Sequence, residues 1–152
     1  MQHANHREVW RNLADFFPHP YTQADAEAWI ERVERAEPPP PDLAIVAEGE
    51  PVGGIGLARL GDLGRYTGQL GYWLGPSAWG KGYATEALQA FAEYAFQAFD
   101  LQRLQATVLE WNPASCRVLE KAGFAAEARL HKAAFKDGQL VDTWLYARLR
   151  GG

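Results

Sequence analysis

The chain has 152 residues and a mass of 16.9 kDa, which is the size of one domain, so we expect a single domain over 1–152. Its 47% hydrophobic content, 22% charged content and net charge of −4 indicate a globular protein that binds no nucleic acid. The single cysteine, Cys116, excludes an internal disulfide, and the sequence offers no metal-ligand spacing. A polar start and the lack of a long apolar run predict a cytoplasmic protein with no membrane partner.

The first half of the chain predicts two helices followed by three strands. Apolar residues recur at helical spacing over 5–17, and Pro18 and Pro20 end this first helix. Thr22, with Asp25 three residues later, is a capping-box variant that begins a second helix. Compact or alternating apolar runs predict strands at 43–47, 52–60 and 65–74.

The second half of the chain predicts helices and strands in alternation. The predicted elements are a long helix at 82–99, a strand at 104–109, a short helix at 113–122, and a hairpin with strands at 124–135 and 140–148. Asn112 is a good N-cap for the short helix, and Gly123 suits the position just after its end. Asp137 and Gly138 suit a tight hairpin turn. The element order indicates a mixed α/β fold.

The glycine-rich loop at 79–84 (WGKGYA) opens directly into the long helix. The first amides of a helix lack intrahelical partners, and the helix dipole adds partial positive charge there. Gly80 and Gly82 allow a ligand to approach the backbone, so the loop suits a pyrophosphate. No Walker loop is present, and Thr85 stands where a dinucleotide fingerprint needs its third glycine. A glycine turn that merely starts a helix is the alternative.

Three segments together resemble the GNAT superfamily of N-acetyltransferases, in particular its RimJ/RimL-like branch: GYWLGPSAWGKGYATEAL, EWNPASCRVLEKAGF and KDGQLVDTWLYARL. The resemblance implies an α/β GNAT-like fold, with a central mixed, mostly antiparallel sheet flanked by helices. It implies that acetyl-CoA is the cosubstrate and that no metal is needed. The acetyl group would pass to a primary amine, on a protein N-terminus or a small molecule, by direct attack in a ternary complex. A noncatalytic acyl-CoA-binding or sensing module is the alternative.

The resemblance also implies which residues meet acetyl-CoA. In the family, the strand that matches 70–74 bulges and separates from the next strand, and the pantetheine arm bonds to its exposed backbone. The loop that matches 79–84 holds the pyrophosphate, and Arg117 is a further candidate for the phosphates. The expected cofactor-binding residues are Tyr72, Trp73, Leu74, Trp79, Gly80, Lys81, Gly82, Tyr83, Ala84, Thr85, Asn112, Ser115 and Lys121.

Two residues are candidates for catalysis. Ser115 matches a polar residue near the thioester sulfur in the family, which implies a general acid for the leaving thiolate; an ordinary first-turn helix residue is the alternative. Gln69 stands where many relatives carry a glutamate, so no clear base is present. Asp142 is a weaker candidate base, with a hydrogen-bonded carboxylate at a strand end as the alternative.

Two further expectations concern the acceptor side and the sheet edge. In the family, the loop between the first two helices walls the acceptor site; here it would contribute Phe17, His19 and Tyr21, with a core or turn role as the alternative. The family's first strand has no counterpart in this sequence, so either the protein lacks that strand or the sequence is truncated. Loss of the strand would leave the edge of its neighbour unpaired. A second copy that covers this edge would make the protein a homodimer.

Overall fold

A computed structural model describes residues 1–152. The helices are α1 (Arg7–Trp10), α2 (Gln23–Glu34), α3 (Tyr83–Ala98) and α4 (Pro113–Lys121). The strands are β1 (Asp42–Ala47), β2 (Glu50–Arg59), β3 (Thr67–Leu74), β4 (Arg103–Leu109), β5 (Ala125–Lys136) and β6 (Gln139–Leu149). None of the helices combines the length and the apolar character needed to cross a membrane.

The six strands form one sheet in the order β1-β2-β3-β4-β6-β5. Only β3 and β4 pair in parallel, and the other neighbours are antiparallel, which confirms the predicted mixed, mostly antiparallel sheet. The outer side of β1 has no strand partner in this chain, and the homodimer expected at a free edge stays a prediction.

The main core lies between the sheet and helices α3 and α4. Leu88, Ala92 and Ala95 of α3 are 0% exposed and recur at the spacing of one helix face. Burying a leucine side chain stabilises the fold by about 1.5–3 kcal/mol, so α3 is firmly fixed against the sheet. Its amino end is thereby held beside the end of β3.

The first predicted helix is wrong in its length. The helix covers only Arg7–Trp10, and residues 11–17 form turns. The Asn12 side-chain amide donates a hydrogen bond of 2.8 Å to the Glu8 carbonyl, which the next helical turn would have used. Phe16, which the pattern assigned to an apolar helix face, is 88% exposed.

The predicted caps and turns are confirmed. The Thr22 hydroxyl accepts from the Asp25 backbone N–H, and the Asp25 carboxylate accepts from the Thr22 N–H at 2.8 Å. The Asn112 side-chain oxygen accepts from the Ser115 N–H at 3.2 Å and so begins α4. The hairpin turn has positive φ at Asp137 and Gly138. These elements begin and end where local side-chain chemistry dictates.

Candidate active site

Strands β3 and β4 separate and leave a wedge between them. They pair only over 67–69 and 103–105, although β3 continues to Leu74. The register of β3 against β2 is unbroken, so the bulge expected in β3 is absent. The separation expected from the family is present, and it leaves residues 70–74 without a strand partner on the β4 side.

A cavity of about 450 Å³ occupies this wedge. Every predicted cofactor-binding residue except Lys81 lines it. The remaining lining residues are Glu8, Val9, Asn12, Leu13, Ala78, Ala114, Arg117 and Val118. The four from the N-terminal segment were not predicted, because the sequence pattern treated that segment as an ordinary amphipathic helix.

The amino end of α3 lines the cavity and has no side-chain cap. The first N–H groups of the helix, from Tyr83 to Thr85, therefore lack intrahelical acceptors and are free for a ligand. Gly82 is the N-cap residue with φ 84, a conformation that favours glycine. A Cβ at Gly82 would meet nothing within 4 Å, so conformation rather than crowding explains this glycine. This helix end can hold an anion.

The charges that line the cavity are unevenly placed. Arg117 and Lys121, both on α4, add positive charge to that of the α3 amino end. Glu8 is the only acidic lining residue, and it belongs to α1. The α3 and α4 walls therefore suit phosphates, and the α1 wall suits a cation.

Trp79 ties the glycine-rich loop to the end of β3. Its indole N–H donates a hydrogen bond of 2.9 Å to the Leu74 carbonyl. The tryptophan therefore has a structural role in the loop as well as lining the cavity.

Tyr72 and Ser115 meet across the wedge. The Tyr72 hydroxyl oxygen lies 2.6 Å from Ser115 Oγ and donates within 3.3 Å of the Ser115 carbonyl oxygen. Burial raises the pKa of Tyr72 to about 12, so the phenol keeps its proton at neutral pH. Sequence reasoning gave the Tyr72 side chain only a role in cofactor contact. Strand alternation, which puts Tyr72 on the inward face with Leu70 and Leu74, was the available signal.

Asp142 lies outside the cavity lining and is held by several donors. Its carboxylate accepts from the Lys132 N–H at 2.8 Å and from Arg129 Nε at 2.9 Å, and His131 Nδ1 lies 2.8 Å away. These hydrogen bonds, led by that of Lys132, lower the pKa of Asp142 to about 2. A carboxylate with so low a pKa is a poor base at neutral pH. Asp142 instead holds the irregular stretch of β5 between Leu130 and Ala134.

The predicted acceptor residues form an aromatic wall beside the cavity, without lining it. Phe17 stacks on Tyr21 with ring centres 5.0 Å apart and packs edge-on against Trp73 at 5.4 Å. His19 stacks on Trp10 at 5.8 Å. The structure therefore connects Phe17 and Tyr21 to the cavity through Trp73.

The tip of the β5–β6 hairpin grips the N-terminal segment, an arrangement we call the clasp. Lys136 Nζ donates to the Asp15 carboxylate at 2.7 Å and lies 4.0 Å from the Trp10 ring centre. Asp137 accepts a hydrogen bond of 2.7 Å from Arg7. Lys136 is only 4% exposed. The clasp joins distant parts of the chain, and no sequence pattern indicated it.

The fold and the wedge together define a GNAT-type acetyltransferase architecture. A crystal structure of a GNAT-family acetyltransferase from Bacillus anthracis matches with a TM-score of 0.82 and 25% identity, covering 99% of this chain and 87% of that one. No group of three or more His, Cys, Asp or Glu side chains is arranged to hold a metal ion.

The sequence comparisons establish the family. The acetyltransferase (GNAT) domain profile matches residues 1–125, and the chain belongs to this family. The ribosomal-protein-serine acetyltransferase of Escherichia coli (strain K12) is 35% identical over 105 residues, covering 69% of this chain and 58% of that protein. Mycobacterium smegmatis RimJ, solved in complex with CoA-disulfide, is 28% identical with a TM-score of 0.72, covering 83% of this chain and 61% of that one.

These relatives also confirm the resemblance to the RimJ/RimL-like branch. The chain spans about half the length of several curated relatives, between 46% and 58%.

Proposed function

We propose that the protein is an acetyl-CoA-dependent N-acetyltransferase that acts on a primary amine. The observation that carries the proposal is the cavity between β3 and β4, which has an uncapped helix end on one wall and Ser115 on another. The relative from M. smegmatis that was solved with CoA-disulfide supports acetyl-CoA as the cosubstrate.

The two cavity walls suit different parts of acetyl-CoA. The pyrophosphate would accept hydrogen bonds from the free amides of α3, with Arg117 and Lys121 nearby. The pantetheine arm would bond to the unpaired backbone of residues 70–74. Asn112 uses its side-chain oxygen as a helix cap, so its NH₂ group remains free to donate to the arm.

The proposed reaction is direct attack of the amine on the thioester carbonyl. An amide of the unpaired strand around Tyr72–Leu74 would stabilise the oxyanion, and Ser115 would protonate the leaving thiolate. Holding the two reactants together supplies the larger share of the acceleration, about 7–11 kcal/mol in well-oriented systems.

We propose a protein N-terminal α-amine, or a small amine of similar pKa, as the acceptor. An α-amine with a pKa near 7.8 is roughly 10–15% neutral at pH 7, against about 0.04% for a lysine. The cavity offers little help with deprotonation, because Gln69 is no base and its amide oxygen accepts from Gln105 at 2.9 Å. Glu8 is the residue best placed to attract the ammonium form. The name of the E. coli relative, a ribosomal-protein-serine acetyltransferase, is consistent with a protein acceptor.

The experiment that tests the cofactor is calorimetric titration with acetyl-CoA, with ATP and NAD as controls. Gly82→Glu puts a negative charge at the proposed phosphate site and should weaken acetyl-CoA binding at least ~100-fold, roughly 2.7 kcal/mol. Gly82→Asn is the matched control, because asparagine tolerates a positive φ and stays neutral. Equal binding by the Glu and Asn variants would contradict a phosphate site at this helix end.

A noncatalytic acyl-CoA-binding or sensing module is the second candidate, and the lack of a base at Gln69 favours it. The two functions differ in one measurement, the release of free thiol from acetyl-CoA in the presence of a panel of α-amines. Tight acetyl-CoA binding with no thiol release above the amine-free rate would favour the sensing module.

A further inference from the structure

We infer that Tyr72 is a positioning residue whose hydroxyl holds Ser115 Oγ and directs the serine proton toward the thioester sulfur. The inference rests on the proposed acetyl transfer, and it gives a function to the 2.6 Å contact between the two side chains.

The 2.6 Å contact lets either hydroxyl donate, and we assign the donor role to Tyr72. Each hydroxyl has one proton, and Tyr72 has two oxygens of Ser115 within reach, Oγ at 2.6 Å and the backbone carbonyl at 3.3 Å. When Tyr72 donates to the nearer oxygen, the Ser115 proton is left free to point into the cavity. The Ser115 backbone N–H donates to Asn112 Oδ1 at 3.2 Å. Hydrogen bonds therefore fix both the main chain and the side chain of the serine.

Tyr72 carries its proton at neutral pH, because burial raises its pKa to about 12. The phenol can therefore donate a hydrogen bond to Ser115 Oγ. That hydrogen bond stabilises negative charge that develops on Oγ as the serine gives up its proton.

The proton balance of the step is then complete. The bond between the amine nitrogen and the acetyl carbon forms, and the carbon–sulfur bond breaks with its electron pair on sulfur. Ser115 gives its proton to that sulfur, and the proton released by the attacking amine returns to Oγ. Tyr72 donates its hydrogen bond to Oγ throughout and leaves the step unchanged.

The test is a double-mutant cycle of Tyr72→Phe and Ser115→Ala, with thiol release as the readout. Tyr72→Phe should lower kcat about tenfold, the size expected for one hydrogen bond to a developing charge. The KM for acetyl-CoA should stay within about twofold, because the phenyl ring still fills the cavity wall. In the Ser115→Ala background, the same substitution should change kcat less than about twofold.

Tyr94→Phe is the matched control. It removes a hydroxyl that donates to the Pro40 carbonyl at 2.7 Å, away from the cavity, and should leave kcat unchanged. Melting temperatures of all variants show whether each one folds. A Tyr72→Phe effect that is equally large with and without the Ser115 hydroxyl would overturn the inference alone. Wild-type protein that binds acetyl-CoA but releases no thiol would overturn the proposed function as well.

Discussion

The proposed cofactor side and the proposed acceptor side of the cavity are held in place by contacts of very different range. On the cofactor side, Gly82 begins α3 and Asn112 caps a residue three positions away. On the acceptor side, Lys136 reaches Asp15 across 121 positions and Arg7 reaches Asp137 across 130. The first side is a property of local backbone geometry, whereas the second depends on the whole fold being assembled.

The largest change in activity is expected from Ser115→Ala, on the proposed cofactor side. Removing the hydroxyl should lower kcat about 100-fold, within the range typical of general acids. The helix should stay intact, because Asn112 caps the backbone N–H of Ser115 and not its side chain. Thiol-release kinetics and thermal unfolding measure the two parts separately. Ser115→Thr keeps a hydroxyl and serves as control; equal losses in both variants would argue against the proton-donor role.

A smaller effect is expected when the clasp is broken with Lys136→Met. The substitution removes the bond to Asp15 and the contact with Trp10, which together position the segment that carries Phe17. We expect kcat/KM for the amine to fall about fivefold while acetyl-CoA affinity is unchanged, roughly 1 kcal/mol at the acceptor side alone. Lys132→Met, on the same hairpin and exposed, is the control. A matching loss of acetyl-CoA binding would show that the two sides are not independent.

The Asn112 cap is expected to contribute to the stability of the folded protein. Asn112→Ala should lower the free energy of unfolding by about 1 kcal/mol, a typical value for a lost N-cap. For a chain of this size, that is a melting temperature lower by about 2–4 °C. Asn112→Ser retains a capping oxygen and should recover most of the stability. No difference between the two variants in a thermal melt would indicate that the cap does not stabilise α4.

The smallest effect is expected from Asp142→Asn, and it lies in the pH dependence of stability. The folded protein lowers the pKa of Asp142 to about 2, so this carboxylate stabilises the fold above its ordinary pKa. That stabilisation is lost as the pH falls from about 5 toward 2, and denaturant unfolding over this range should show a steeper decline in wild type than in Asp142→Asn. The pH–rate profile between about pH 6 and 9 should be the same in both proteins. A shifted acid limb in the variant would restore Asp142 as a candidate base.

Most of the fold could be predicted because its elements are marked by nearby residues. The capping box at Thr22 and the turn at Asp137 are chemical signals within a few positions, and both are confirmed. The first helix was predicted too long because the apolar spacing over 5–17 hides the competition between the Asn12 side chain and the backbone.

The site was less predictable wherever it depends on pairs of distant side chains. Tyr72 and Ser115 are 43 positions apart in the sequence. Strand alternation predicts which face of the sheet Tyr72 lies on, but it does not predict that Ser115 is its hydrogen-bond partner. Asp142 matched a family motif, yet two of its three donors, His131 and Lys132, lie in an irregular stretch of β5 that the sequence does not predict.

The uncapped amino end of α3 links ligand occupancy to thermal stability. The free amides at the start of α3 could reach water if that end of the helix unwound. Leu88 and Ala92 of the same helix are completely buried, so such unwinding would disturb the core. An anion that satisfies them therefore adds its binding free energy to the folded state, about 2.7 kcal/mol at a ligand concentration one hundred times its Kd. The unliganded chain should consequently be the form most readily unfolded, and thermal melts with and without the proposed cosubstrate should show this difference.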